Sequence, residues 1–150
     1  MKISLRLFVV SLIFVAVSCS SGISDKNLIY ITPKEASALV QDEVIDENNL
    51  EFTVSTIIVD SRHAHEFKKK HIANSINIPF GRLGAMAWRL DNVETIIVSG
   101  ETTRDQVSIA MSKALLSMGF TDVKTLRGGF KGWERAGEPI ETEWKIETTE

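Results

Sequence analysis

Two short apolar segments constrain the fold more than any other feature of this 150-residue chain. The segments STIIVD (55–60) and TIIV (95–98) are apolar without alternation, which indicates strands that are buried on both faces. Amphipathic stretches typical of helices separate them from each other and from shorter extended segments. This alternation predicts an α/β fold in which helices cover both faces of a mainly parallel sheet.

The remaining elements are predicted from caps, periodicity and turn residues. Thr32, Pro33 and Glu35 form a complete start signal for a helix over 32–40. A broad apolar face ending at Gly119 predicts a long helix from Thr103 to Met118. We also expect strands at 28–31, 75–79 and 122–126, helices at 63–70, 82–90 and 130–136, and a solvated acidic loop at 41–51.

The N-terminal segment has the composition of an export signal. Lys2 and Arg6 flank the start of an 11-residue apolar run, 7–17, which is too short to span about 30 Å of hydrocarbon as a helix. The single cysteine, Cys19, follows small residues directly after this run, and the pattern resembles the bacterial lipobox. That resemblance implies that residues 1–18 are a lipoprotein signal peptide and that Cys19 is lipidated. The alternative is an ordinary signal that ends near a cysteine.

The charge of the mature chain limits its partners. Removing residues 1–18 leaves 15 basic and 20 acidic residues, a net charge of −5. An acidic body argues against nucleic acid as a partner, so we expect the acyl chains on Cys19 to hold the protein at a membrane. Residues 19–27 are predicted to be the lipidated N-terminus and a polar tether in the bacterial cell envelope, facing the periplasm. Ser20 favours the outer membrane if the host is Gram-negative.

Three segments resemble signatures of the rhodanese-like family. ITPKEASALV (31–40) is similar to the family's opening, and IIVDSRHAHEFKKKHIANSINIP (57–79) to its first signature. FTDVKTLRGGFKGWERAGEPI (120–140) is similar to its closing segment. The resemblance implies a rhodanese-like domain over 28–141 with a central, mainly parallel five-stranded sheet, followed by a C-terminal tail over 142–150. It also implies a relation to thiosulfate sulfurtransferases.

The predicted active loop lacks the family's catalytic cysteine. Ser99 stands at the strand end where the resemblance places that cysteine, and Arg104 matches the arginine that closes the loop. The chain is about three residues longer than usual before Gly119, so Thr102 is the alternative equivalent. Neither residue supplies a thiol, and Cys19 precedes the domain. Because a hydroxyl is a far weaker acid than a thiol and cannot carry a sulfane sulfur, we expect no sulfur transfer.

The same loop is a candidate anion cradle, because backbone N–H groups converge between a strand and a helix N-terminus. Glu101 opposes such binding by adding negative charge. A loop that only closes the fold is an equal alternative. The candidate anion-binding residues are Ser99, Gly100, Thr102, Thr103, Arg104 and Arg62.

Two classes of function therefore compete. The first is a non-catalytic binding or regulatory module for a small oxyanion or a protein partner. The second is an enzyme, either an atypical sulfurtransferase or a hydrolase that uses Ser99 with His63, His65 or His71 as the base. A metal site at His63 and His65 is disfavoured, because side chains two residues apart on a helix point in different directions. We expect no cofactor, and the oligomeric state is not predicted.

Overall fold

A parallel five-stranded sheet forms the centre of the protein. The structure, a computed structural model, describes residues 22–41 and 54–143. The sheet consists of β1 (Ile29–Ile31), β2 (Val54–Asp60), β4 (Ile76–Asn77), β5 (Val93–Ser99) and β6 (Val123–Leu126). Its strand order is β1-β6-β5-β2-β4, and all four strand pairs are parallel. The predicted α/β class and five-stranded sheet are confirmed.

The two central strands owe their position to their apolar residues. Ile96 and Val98 of β5 face one side of the sheet, whereas Ile97 faces the other, and all three are buried. Burial on both faces explains why the sequence shows no alternation in these strands.

Helices cover the two faces of the sheet. One face packs against α3 (Leu83–Met86) and α4 (Gln106–Ser117), with Leu83, Leu90, Met111 and Leu115 in its core. The other face packs against α1 (Pro33–Gln41) and α5 (Gly129–Ala136). The buried residues of this second core are Ile31, Ala36, Ile58, Ile72, Ile97, Leu126, Phe130 and Trp133.

The predicted start of α1 is confirmed by a reciprocal capping box. The Thr32 backbone N–H donates to Glu35 Oε2 at 2.8 Å, and the Glu35 N–H donates to Thr32 Oγ1 at 3.3 Å. The hydrogen bonds from the side chain and the backbone of Thr32 lower the pKa of Glu35. Two of the amides that the first helical turn leaves without helical partners are satisfied in this way.

A small antiparallel sheet of β3 (Lys70–Ile72) and β7 (Ile140–Thr142) was not predicted. The sequence predicts a helix that includes Lys70 and a domain that ends at residue 141. In the structure α2 spans Ala64–Lys69, and β3 follows it directly. Strands of three residues leave almost no periodic signal, so only their mutual pairing defines them.

Two predicted helices differ in their bounds or type. The segment predicted as one helix over 82–90 consists of the 3-10 turn Phe80–Arg82, the single turn of α3 and the 3-10 turn Ala87–Leu90. Leu83 and Leu90 are nevertheless buried. The long helix begins at Gln106 and not at Thr103, because Asp105 is its N-cap.

Several predictions fall outside the described residues. They concern the signal peptide, Cys19, most of the acidic loop and the C-terminal tail beyond residue 143. Within the predicted tether, Asp25–Asn27 form a 3-10 turn, and Asp25 makes an ion pair with Lys113 of α4. No helix in the described part of the chain is long and apolar enough to cross a membrane.

Candidate functional site

The predicted loop lies at the carboxyl edge of the sheet, where β2 and β5 end side by side. Asp60 and Ser99 are register partners at these two strand ends. The backbone N–H and the hydroxyl of Ser61 both donate to the Ser99 carbonyl oxygen, each at 2.9 Å. The structure therefore brings the Asp60-Ser61-Arg62 segment against the Ser99 loop.

Ser99 is enclosed at the base of this loop. Its relative exposure is 0%, and its Oγ donates to the Gly100 carbonyl oxygen at 3.2 Å. The hydroxyl is thus directed at the backbone. A nucleophilic serine instead needs a general base within hydrogen-bonding distance of its hydroxyl.

The Asp105 carboxylate occupies part of the loop that was predicted to bind an anion. Its Oδ2 accepts a hydrogen bond from the Glu101 backbone N–H at 2.6 Å, and its Oδ1 accepts one from the Val107 N–H at 2.8 Å. A methyl group on Gly100 would overlap this carboxylate. The chain therefore supplies its own anion to the loop and to the first turn of α4, where negative charge is favoured.

Arg62 is held by the protein through several contacts. Its guanidinium donates to Asp60 at 2.6–3.1 Å, to Glu101 Oε2 at 2.9 Å and to the Lys70 carbonyl oxygen at 2.9 Å. It also lies over the Phe130 ring, 4.2 Å from the centroid. Burial alone would lower the pKa of Arg62, but the hydrogen bonds to Asp60 and Glu101 outweigh burial and raise it. An external anion would have to compete with two carboxylates for this guanidinium.

Glu101 links the loop to two cations. Its carboxylate accepts from Arg62 at 2.9 Å and lies 3.1 Å from Lys131 Nζ. Partial burial raises the pKa of Glu101, but the hydrogen bonds from Arg62 and Lys131 overcome this effect and lower it. The charges of Arg62 and Lys131 therefore balance the negative charge of the Glu101 carboxylate, and Glu101 adds no uncompensated negative charge to the loop.

The N-terminus of α5 holds the loop through the backbone. The Phe130 N–H donates to the Gly100 carbonyl oxygen at 2.7 Å, and the Lys131 N–H donates to that of Glu101 at 3.1 Å. A Cβ on Gly129, whose φ is +55°, would lie 2.5 Å from the Gly100 oxygen. Only glycine permits this approach, which gives the Gly128-Gly129 pair its role.

The outer part of the loop is open to solvent. Thr102, Thr103 and Arg104 are exposed, and Arg104 forms no ion pair with any residue in 22–41 or 54–143. Six residues, 100–105, separate β5 from α4. Ser99 is thus the last strand residue, whereas Thr102 lies in the exposed turn.

The three histidines have other partners. The rings of His63 and His65 stack on each other with centroids 5.8 Å apart, and both residues are exposed. His71 Nδ1 is 2.8 Å from the Phe67 carbonyl oxygen, and its ring stacks on Phe67. These contacts give no support to a base beside Ser99. Within the described residues, no group of three or more metal-ligating side chains is present.

Sequence reasoning missed Asp105, which is the central residue of this loop. An aspartate directly before an apolar helical period is a standard N-cap signal, and that signal could have identified it. The sequence predicts Arg62 as a candidate anion-binding residue and gives no carboxylate partner for it. No sequence rule predicts an ion pair between residues two positions apart, so the contact between Asp60 and Arg62 is evident only from the structure.

Comparison with known proteins agrees with this architecture. Thiosulfate sulfurtransferase GlpE of Actinobacillus pleuropneumoniae serotype 7 is 28% identical over 115 residues, which cover 75% of this chain and 92% of that protein. The GlpE protein of Coxiella burnetii (strain RSA 331) is 27% identical over 78 residues, 52% of this chain and 71% of that protein.

Solved structures show the same fold. The rhodanese-like domain of an Anabaena protein aligns with a TM-score of 0.59 and 25% identity, covering 81% of this chain and 83% of that chain. Thiosulfate sulfurtransferase from Pseudomonas aeruginosa aligns with a TM-score of 0.62 and 21% identity, covering 81% of this chain and 21% of that chain. The model of the rhodanese-like domain family matches residues 32–136. The chain therefore belongs to the rhodanese-like family.

Proposed function

We propose that this chain is a lipid-anchored rhodanese-like module that binds a partner and does not transfer sulfur. One observation carries the proposal. Where the loop would need a thiolate, it has a buried serine hydroxyl, and the adjacent backbone N–H of Glu101 is already bound by the Asp105 carboxylate.

The chemistry of sulfur transfer explains why this substitution matters. A thiolate attacks the outer sulfur of thiosulfate, the S–S bond breaks, and sulfite leaves while a persulfide forms. Cyanide then takes the outer sulfur as thiocyanate and regenerates the thiolate. A hydroxyl is almost entirely protonated at neutral pH, and the sulfur–oxygen analogue of a persulfide would be hydrolytically labile. Two relatives are named thiosulfate sulfurtransferases, but Ser99 and Thr102 are both unsuited to that cycle.

A protein partner fits the loop better than a small oxyanion does. An oxyanion would have to displace Asp105 from the Glu101 and Val107 N–H groups and would meet an Arg62 already bound by two carboxylates. A protein surface needs neither change, because Thr102, Thr103 and Arg104 already project from the loop. Their hydroxyls and the exposed Arg104 guanidinium offer hydrogen bonds to a polar or acidic contact surface.

The sulfur-transfer part of the proposal is tested with thiosulfate and cyanide. Full-length protein and a Cys19→Ser variant are compared with Ser99→Cys and Thr102→Cys, each made in the Cys19→Ser background. We expect thiocyanate production at the background rate from the first two proteins. A persulfide detected by mass in one cysteine variant would identify the position equivalent to the catalytic cysteine. Sulfur transfer by the Cys19→Ser protein, which has no thiol, would overturn the proposal.

The anchoring part has a separate test. Metabolic labelling with a fatty-acid analogue should mark the protein, and Cys19→Ala should abolish both the label and membrane fractionation. Unchanged membrane association in that variant, with the label lost, would show that something other than lipid on Cys19 holds the protein at the membrane.

A further inference from the structure

One helical layer of the protein exposes an unusual share of apolar side chains. This layer consists of residues 80–90 and α4 with its C-cap (106–118), which pack together on one face of the sheet. We call it the α3–α4 layer. Six large hydrophobic side chains of the described residues are exposed, and four of them lie in this layer. They are Phe80 (40% exposed), Trp88 (70%), Val107 and Met118.

The charge of the α3–α4 layer is also distinct. Residues 80–90 and 106–118 contain the basic residues Arg82, Arg89 and Lys113 and no acidic residue, although the chain has 20 acids. Arg82 and Arg89 make no ion pair with any residue that the structure describes. Phe80 and Trp88 lie within two residues of these arginines in the sequence, and Arg89 Nη1 donates to the Asn77 carbonyl oxygen at 3.4 Å. Exposed aromatic side chains and positive charge on an acidic protein are complementary to a surface that is both apolar and negatively charged.

The N-terminus of the domain reaches the same layer. Asp25 forms an ion pair with Lys113, so the chain enters the fold against α4. Cys19 lies six residues before Asp25, a stretch that spans at most about 20 Å when fully extended. A lipid on Cys19 would therefore hold the α3–α4 layer close to the bilayer surface.

We propose that the α3–α4 layer lies against the headgroup region of the membrane to which the chain is anchored. This inference rests on the proposed lipidation of Cys19. Trp88 and Phe80 enter the interface between headgroups and acyl chains, where aromatic side chains are enriched. Arg82 and Arg89 contact lipid phosphates, and the acidic remainder of the domain faces away from the bilayer.

The first experiment measures the contact in the anchored protein. Full-length protein purified from membranes is reconstituted into vesicles whose lipids carry bromine on the acyl chains. Bromine quenches nearby tryptophans, and Trp88→Phe isolates the contribution of Trp88 from those of the other tryptophans. We expect at least twofold quenching of the Trp88 signal relative to unbrominated vesicles. Protein that floats with the vesicles but shows no Trp88 quenching would overturn the inference and leave the lipid anchor intact.

The second experiment removes the anchor and tests the layer alone. Cys19→Ser protein that begins at residue 19, and so lacks the apolar run 7–17, is floated with vesicles of phosphatidylcholine alone or mixed with phosphatidylglycerol. We expect partitioning to increase with the anionic lipid and to fall roughly 25-fold in the double variant Arg82→Gln/Arg89→Gln, since each arginine near an anionic surface contributes about a fivefold factor. Trp88→Ala should weaken partitioning at least about fivefold on both vesicle types.

Matched controls lie on the opposite side of the sheet. Arg127→Gln/Arg135→Gln makes the same charge change beside α5, and Ile29→Ala removes an exposed apolar side chain of β1 that shares the face of Ile31. Both should leave partitioning unchanged. Equal losses in the control and test variants would refute a specific membrane-facing layer. If the native protein fails to float, lipidation of Cys19 is contradicted, and the second experiment still decides whether this layer binds lipid.

Discussion

Replacing Asp105 by alanine is expected to destabilise the fold more than loss of a helix cap alone. The Asp105 carboxylate accepts two backbone hydrogen bonds, from Val107 in the first turn of α4 and from Glu101 in the loop. The substitution removes the cap and at the same time leaves the Glu101 N–H without its acceptor. It also opens a space beside Gly100, since the carboxylate now lies against that residue.

The size of the effect follows from these two contacts. Loss of an aspartate N-cap costs about 1 kcal/mol of stability. An N–H group that loses its partner costs about 1–3 kcal/mol, with the lower value applying here because Glu101 is only partly buried. We therefore expect Asp105→Ala to reduce the free energy of unfolding by about 2–3 kcal/mol. Asp105→Asn should cost about half as much, because its amide oxygen can accept only one of these bonds well.

Urea denaturation of the full-length variants at neutral pH measures these losses, with the slope used to check two-state behaviour. The alanine variant should also respond to sulfate, because its freed N–H groups and the space left by Asp105 can accept an anion. With a dissociation constant of about 10 mM, sulfate at about 100 mM would restore about 1.4 kcal/mol. Wild type gives the general effect of sulfate on the fold, which is subtracted.

Two results would refute this reasoning. A loss below about 0.5 kcal/mol in Asp105→Ala would mean that the carboxylate does not hold the loop. Equal destabilisation by alanine and asparagine, with no sulfate response beyond that of wild type, would mean that the two hydrogen bonds do not account for the stabilisation by Asp105.

Two further predictions concern the core and the charges beside the loop. Trp133 is 3% exposed, and its Nε1 donates to the Pro139 carbonyl oxygen at 2.8 Å. Trp133→Ala should therefore lower the free energy of unfolding by about 3–5 kcal/mol. A loss under about 1 kcal/mol, measured by urea denaturation, would contradict the packing of Trp133 against the sheet. The pKa of Glu101 is lowered in the fold, so its ionised form stabilises the protein above its unfolded pKa, and this contribution disappears as the pH falls through the folded pKa. The difference in the free energy of unfolding between wild type and Glu101→Gln should therefore be largest near neutral pH and shrink below about pH 4.5. A difference that stays constant down to about pH 3 would contradict the ion pairs with Arg62 and Lys131.

The fold was predictable from the sequence wherever burial or capping requires a recognisable local pattern of residues. The unbroken apolar runs of β2 and β5 and the Thr32–Glu35 box gave the right elements at the right places. β3 and β7 were missed because each has three residues and depends on the other, 68 or more positions away in the chain, for its hydrogen bonds. Local sequence carries no record of such pairing.

The candidate site was predictable in position but not in detail. The end of β5 and the Asp60-Ser61-Arg62 segment meet as expected, because both follow neighbouring parallel strands. The partners of Arg62 could not be read from the chain, since Glu101 lies 39 residues away and is brought to it by the fold. A sequence shows which charges exist, whereas their pairing depends on three-dimensional distances.

The contact between α5 and the loop also determines when the site is assembled. The carbonyl oxygens of Gly100 and Glu101 are bound by the amides of Phe130 and Lys131, about 30 residues further along the chain. During synthesis, which proceeds from the N-terminus, the loop can therefore reach its final shape only after the last helix has been made. A truncation before Gly128 would leave β5 and α4 in the chain without the residues that close the loop between them. The loop between β5 and α4 is thus completed late in synthesis, by residues near the end of the domain.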